Sequence, residues 1–135
     1  MATIKSFEDI QSWQKAREVC KFLGQIIDEG KFKRSYRLIH QIEGSSGSIM
    51  DNIAEGFERG IKGEFITFLG YAKGSCGELR SQLYRAFDRN FITETEFDNL
   101  KSKVLQISGL LQNFIGYLRK SEVSGIRKKI GPKKL

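Results

Sequence analysis

Apolar residues recur along this chain at spacings of three and four, the period of an α-helix with one buried face. Four such segments are separated by glycine or turn-forming residues. The first is predicted over residues 6 to 29, with Ile10, Trp13, Ala16, Cys20, Leu23 and Ile27 on one stripe and Gly30 as its stop. The second, over 34 to 58, buries Leu38, Ile42, Ile49, Ile53 and Phe57 ahead of a turn at Gly60 and Gly63. The third, over 64 to 89, turns Phe65, Phe68, Leu69, Ala72, Cys76, Leu79, Leu83 and Phe87 inward, and Asn90 suits the left-handed conformation that ends a helix. Thr93 followed by Glu96 makes a capping box for the last. Its Phe97, Leu100, Val104, Ile107, Leu111, Phe114 and Leu118 form the narrow seam of coiled-coil-like packing. Helices of ~25 residues are ~37 Å long, and short loops between them force neighbours antiparallel. The predicted fold is all-α: an antiparallel up-down-up-down four-helix bundle over residues 1–120, with a basic C-terminal tail over 121–135.

Glycine complicates this picture. Gly44, Gly47, Gly56, Gly70, Gly74, Gly77, Gly109 and Gly116 fall at helical positions, each costing ~1 kcal/mol relative to alanine. Small faces at Gly70, Gly74 and Gly77 and at Gly44, Ser45, Gly47 and Ser48 are expected to meet inside the bundle, letting two backbones approach closely. No GxxxxGK[ST] or GxGxxG spacing is present, so a phosphate-cradling loop has no support.

Charge narrows the partners. The 135 residues carry 23 Lys and Arg against 16 Asp and Glu, a net +7 that favours nucleic acid. Four of those seven net charges sit in residues 121 to 135, where Arg127, Lys128, Lys129, Lys133 and Lys134 face only Glu122. With Gly125, Gly131 and Pro132 and few apolar anchors, this tail is expected to be flexible when free. Cys20 and Cys76 show no metal-ligand spacing, and no apolar run reaches membrane-spanning length. Reduced thiols, a cytoplasmic location and no cofactor are expected.

The stretch Asn52-Ile53-Ala54-Glu55-Gly56-Phe57, preceded by Gln41-Ile42 and Ser48-Ile49, carries a resemblance. So do Ile10, Trp13, Gln14, Lys15 and Ala16, then Glu64-Phe65, Phe68-Leu69, Ala72, Gly74-Ser75 and Glu78-Leu79. Over residues 7 to 118 the chain resembles the four-helix bundle proteins encoded in intervening sequences of bacterial large-subunit ribosomal RNA genes. That family is similar to the accessory variability proteins of diversity-generating retroelements. The resemblance implies a homopentameric ring with a basic surface that binds RNA, with DNA as a second candidate, and a reverse transcriptase, without a catalytic centre. Two departures stand out: Glu43-Gly44 replaces the usual arginine pair, and Met50 the usual proline. The first removes a basic patch from the second helix.

Candidate phosphate contacts are then Lys31, Lys33, Arg34 and Arg37, Lys73, Arg80, Arg85 and Arg89, and the tail cations, with Tyr84 able to stack on a base. Asn52, Glu55, Ser75 and Glu78 are expected to form a hydrogen-bonding network, with Gly56 and Gly74 among the motif's small residues. A di-metal reading of Glu55 and Glu78 fails for want of Glu-x-x-His pairs. One enzymatic alternative remains: Arg34 and His40 have the spacing of HEPN ribonucleases, with His40 as general acid or base and Arg34 stabilising phosphorane charge. The expectation is a non-catalytic oligomeric nucleic-acid-binding scaffold, either a retroelement accessory subunit or a stand-alone ribosomal intervening-sequence protein of structural role.

Overall fold

Local chemistry sets where each helix begins and ends. The computed structural model describes residues 4–121. A 3-10 turn at Phe7–Asp9 leads into α1 (Gln11–Asp28), α2 (Tyr36–Arg59), α3 (Lys62–Asp88) and α4 (Glu94–Lys120). The expected capping box opens α4: Thr93 Oγ1 accepts from the Glu96 amide at 3.1 Å, and Glu96 Oε1 accepts from the Thr93 amide at 2.8 Å. A Schellman motif closes α3. Asn90 sits at φ 60°; its amide donates to the Phe87 carbonyl and that of Phe91 to the Ala86 carbonyl, each at 2.9 Å. Gly30 and Gly60, at φ 77° and 76°, end α1 and α2 in the backbone region where a Cβ would clash.

Partner pairs fix the topology. Along α2, Ser35, Gln41, Ser45 and Ser48 bond in turn to Arg89, Arg85, Gln82 and Ser75, so α3 runs the other way. Phe87 stacks on Phe97 while Phe65 meets Phe114 edge-on, so α4 reverses again. Packing of α1 on both α2 and α4 closes the square.

The core is mainly apolar, including Leu23, Ile42, Ile49, Ile53, Phe65, Leu69, Leu79, Val104 and Leu111, with Ser12, Ser45, Ser46 and Gln82 buried among them. In α1 the buried stripe is Ala16, Val19, Leu23 and Ile26, while Trp13, Cys20 and Ile27 are half-buried. Two stripes of three-four spacing overlap at Ala16 and Leu23, and packing against two neighbours selects the one the periodicity did not. Phe91 and Ile92 are only 5% and 3% exposed because the Schellman turn folds them onto the core. Tyr117 packs half-buried against it.

The glycines divide sharply. Gly56 is the close approach: a Cβ there would lie 2.6 Å from Phe68 Cβ and 3.0 Å from the Phe65 ring. Gly70, Gly74 and Gly77, expected in the α2–α3 seam, instead face solvent with open space around each. With Gly63, Thr67 and Ser81 they make the outer face of α3. The seam needs little of that smallness because it is polar: Ser45 Oγ donates to Gln82 Oε1 at 2.6 Å, both residues buried.

Candidate nucleic-acid interface

The connection between α1 and α2 alternates cation and aromatic. Phe32 is fully buried and packs against Phe91 with ring centroids 5.3 Å apart. Its burial contributes about 1.5–3 kcal/mol, and pulling it inward throws Lys31, Lys33 and Arg34 outward, where all three are exposed. Lys33 holds φ 53°, in the left-handed region that a lysine seldom adopts.

The Schellman turn brings Arg89 to the same place. Its Nη1 donates to Ser35 Oγ at 2.9 Å, and its guanidinium lies 4.5 Å from the centre of the Phe91 ring. Because Ser35 serves Arg89, its hydroxyl does not cap α2. Phe32, Lys33, Arg34, Ser35, Arg89 and Phe91 together line an open cleft of about 610 Å³. Among the described residues no carboxylate pairs with Lys33, Arg34 or Arg89. Such cations over an aromatic floor can hold an anion, and Arg89, held from two sides, does so at low entropic cost.

The remaining basic candidates fall elsewhere. Lys31 is spent on Glu29 and Glu96, at 3.1 and 3.4 Å. The hydrogen bond and charge of Glu29, then the charge of Glu96, raise its pKa. Burial would raise Glu96, but the Thr93 amide and Lys31 outweigh it and hold the carboxyl below its ordinary value. Arg85 leans across the α2–α3 groove to Gln41 Oε1 at 2.8 Å, and Arg37 is exposed in the first turn of α2. Lys73 and Arg80 belong to a separate face of α3, both near enough to Cys76 to favour its thiolate. Burial wins there and pushes that thiol up to about 12. Tyr84 packs edge-on against Phe97 beneath Lys101, 43% exposed. Arg127, Lys128, Lys129, Lys133 and Lys134 lie outside the described residues.

The expected polar network is realised in part. Asn52 donates to the Ser48 carbonyl and hydroxyl, both at 2.8 Å, and Ser75 Oγ bonds Ser48 Oγ at 3.0 Å. Glu55 instead pairs with Arg59 at 2.9 Å, one turn on in its own helix. Glu78 and Gly74 face solvent. Among the described residues no cluster of His, Cys, Asp or Glu is placed to hold a metal ion, and no helix is long and apolar enough to cross a membrane. His40 is exposed on α2 and does not line the cleft that holds Arg34.

Sequence reasoning did not place Phe32, Ser35 or Phe91 at a phosphate site. A lone phenylalanine inside Lys31-Phe32-Lys33-Arg34 was the available signal, since an apolar residue among cations in a helix connection has reason to be buried.

Fold and surface define a class: an all-α four-helix bundle with a cationic, aromatic-floored cleft at one end. The profile of the 23S rRNA-intervening sequence protein family matches residues 8–113, and the chain belongs to that family. Among solved structures it is similar to a protein of unknown function from the S23 ribosomal protein family of Bacteroides thetaiotaomicron VPI-5482. The TM-score is 0.65 at 22% identity, over 77% of this chain and 97% of that one, a likeness of fold. No curated protein matches the chain.

Proposed function

We propose that this protein is a non-catalytic RNA-binding bundle, serving the ribosomal RNA with which its family is named. The observation that carries the reading is the convergence of Lys33, Arg34 and Arg89 on one cleft with no carboxylate among the described residues paired to them. The net charge of +7 supports it by drawing polyanions to the molecule. Arg37 and Arg85 extend the same surface as phosphate contacts, Lys73 and Arg80 offer a weaker second face, and the tail cations, outside the described residues, are proposed to add phosphate contacts of their own. The family that matches is the ribosomal one, so the homopentamer and the reverse transcriptase implied by the resemblance are left out of this reading.

Titrating the purified protein into a labelled fragment of large-subunit ribosomal RNA at low and high salt tests it. Binding is expected to weaken steeply, with a log–log slope of about −0.7 to −0.9 per phosphate neutralised. Binding that ignores salt, or no binding at low salt, would refute the reading. Running the recovered RNA on a denaturing gel tests the ribonuclease alternative at the same time: intact RNA is expected, and cleavage lost in His40→Ala would restore Arg34 and His40 as an active site.

A further inference from the structure

We infer that the cleft takes the phosphate of one unpaired nucleotide of RNA between Lys33, Arg34 and Arg89, with the base outside the cleft on the ring of Tyr36. This deepens the RNA-binding reading and rests on it. A volume of about 610 Å³ lies within the range of small-ligand sites, about 300–1,000 Å³. It is too local for a duplex, whose recognition spreads across successive grooves and many phosphates.

Three observations point to a built site. Arg89 is fixed from two sides, by Ser35 Oγ at 2.9 Å and by the Phe91 ring at 4.5 Å, yet spends one of its five N–H donors on that hydrogen bond. The others remain for a phosphate. Lys33 holds left-handed backbone at φ 53°, strain that a glycine there would relieve, and the residue kept is a cation on the cleft wall. Tyr36, next after Ser35 in the chain, leaves 70% of its surface in solvent. It does not line the cleft but adjoins it through Ser35, and an open aromatic next to a cationic site is the stacking platform of single-strand binders.

Fluorescence anisotropy of the full-length protein with a short single-stranded RNA, and with a blunt duplex of the same length, tests the inference at physiological ionic strength. The single strand is expected to bind at least roughly tenfold tighter. Tyr36→Ala should weaken it roughly 5- to 150-fold, the range for loss of one stacked base. Arg34→Ala and Arg89→Ala should each lower the salt slope by about 0.7. Because Arg89→Ala also removes a helix-terminal contact, Lys33→Gly is the cleaner variant: its melting temperature should hold or rise while affinity falls. Lys21→Ala, an exposed charge loss on α1, is the reference. If duplex binds as well as single strand, or the cleft variants match Lys21→Ala, the nucleotide site is overturned and RNA binding stands. If neither RNA binds, both fall.

Discussion

At the scale of single residues, environment rather than identity separates the two cysteines. Cys76 is buried beside Leu79 and Ala72, and burial drives its thiol to about 12 against the cationic pull of Lys73 and Arg80. Cys20, half-buried, is raised as well, first by burial. A thiol-specific reagent near pH 8 is expected to label Cys20 slowly and Cys76 only after denaturation; rapid double labelling of the native protein would contradict this. The linkage sign follows from a raised acid. Cys76 contributes stability fully below its ordinary value of 9.0, and that contribution is lost as pH rises through about 12. Chemical denaturation at rising alkaline pH is therefore expected to show a falling midpoint. Glycine gives a matched pair at the same scale. Gly56→Ala places a Cβ 2.6 Å from Phe68 Cβ, an atom bound to the backbone of α3, and should destabilise by about 1–3 kcal/mol. Gly74→Ala meets nothing within 4 Å and should stabilise by up to about 1 kcal/mol. Urea midpoints moving in the same direction would show that this division of the glycines is wrong.

At the scale of elements, the helices were legible because their apolar spacing is long and their ends carry chemistry: Thr93 with Glu96, Asn90, Gly30 and Gly60. Less legible was rotation about each axis. In α1, stripes through Cys20 and Val19 differ by one position and share Ala16 and Leu23, so periodicity alone does not choose between them. On α3, glycines read as seam residues because a buried small face is the common reason to tolerate them, yet Ser45, Ser48 and Gln82 fill that role with hydrogen bonds. The cleft was legible in its charges and not in its construction. Lys33, Arg34 and Arg89 were visible as cations, but 55 positions separate Arg34 from Arg89 in the chain. What unites them is a buried pair, Phe32 and Phe91, that no local pattern connects. Phe32→Ala is thus expected to lower the melting temperature and weaken RNA binding together, whereas Arg34→Ala should weaken binding alone.

At the scale of the whole molecule, every contact described above lies within residues 4–121. A chain ending at Ser121, which keeps the Ser121 carbonyl that accepts from Lys62 Nζ at 2.6 Å, is expected to fold as the same four-helix bundle, checked by circular dichroism. It should bind RNA with a shallower salt slope, since five cations are gone; an unchanged slope would remove the tail from the RNA surface. The open glycine face of α3 bears on how the bundle assembles. Gly63, Gly70, Gly74 and Gly77 lower the intrinsic helicity of a segment that nonetheless has the most extensive packing, lying between α2 and α4. Such a segment becomes helical by docking. A peptide of Lys62–Asp88 alone should be largely coil by circular dichroism, while a peptide of residues 93–120, which keeps the Thr93–Glu96 capping box and the cleaner seam, should retain more helix. Residues on the solvent face of α3 are then expected to delay it, with α2 and α4, the helices it packs between, as the template on which it winds.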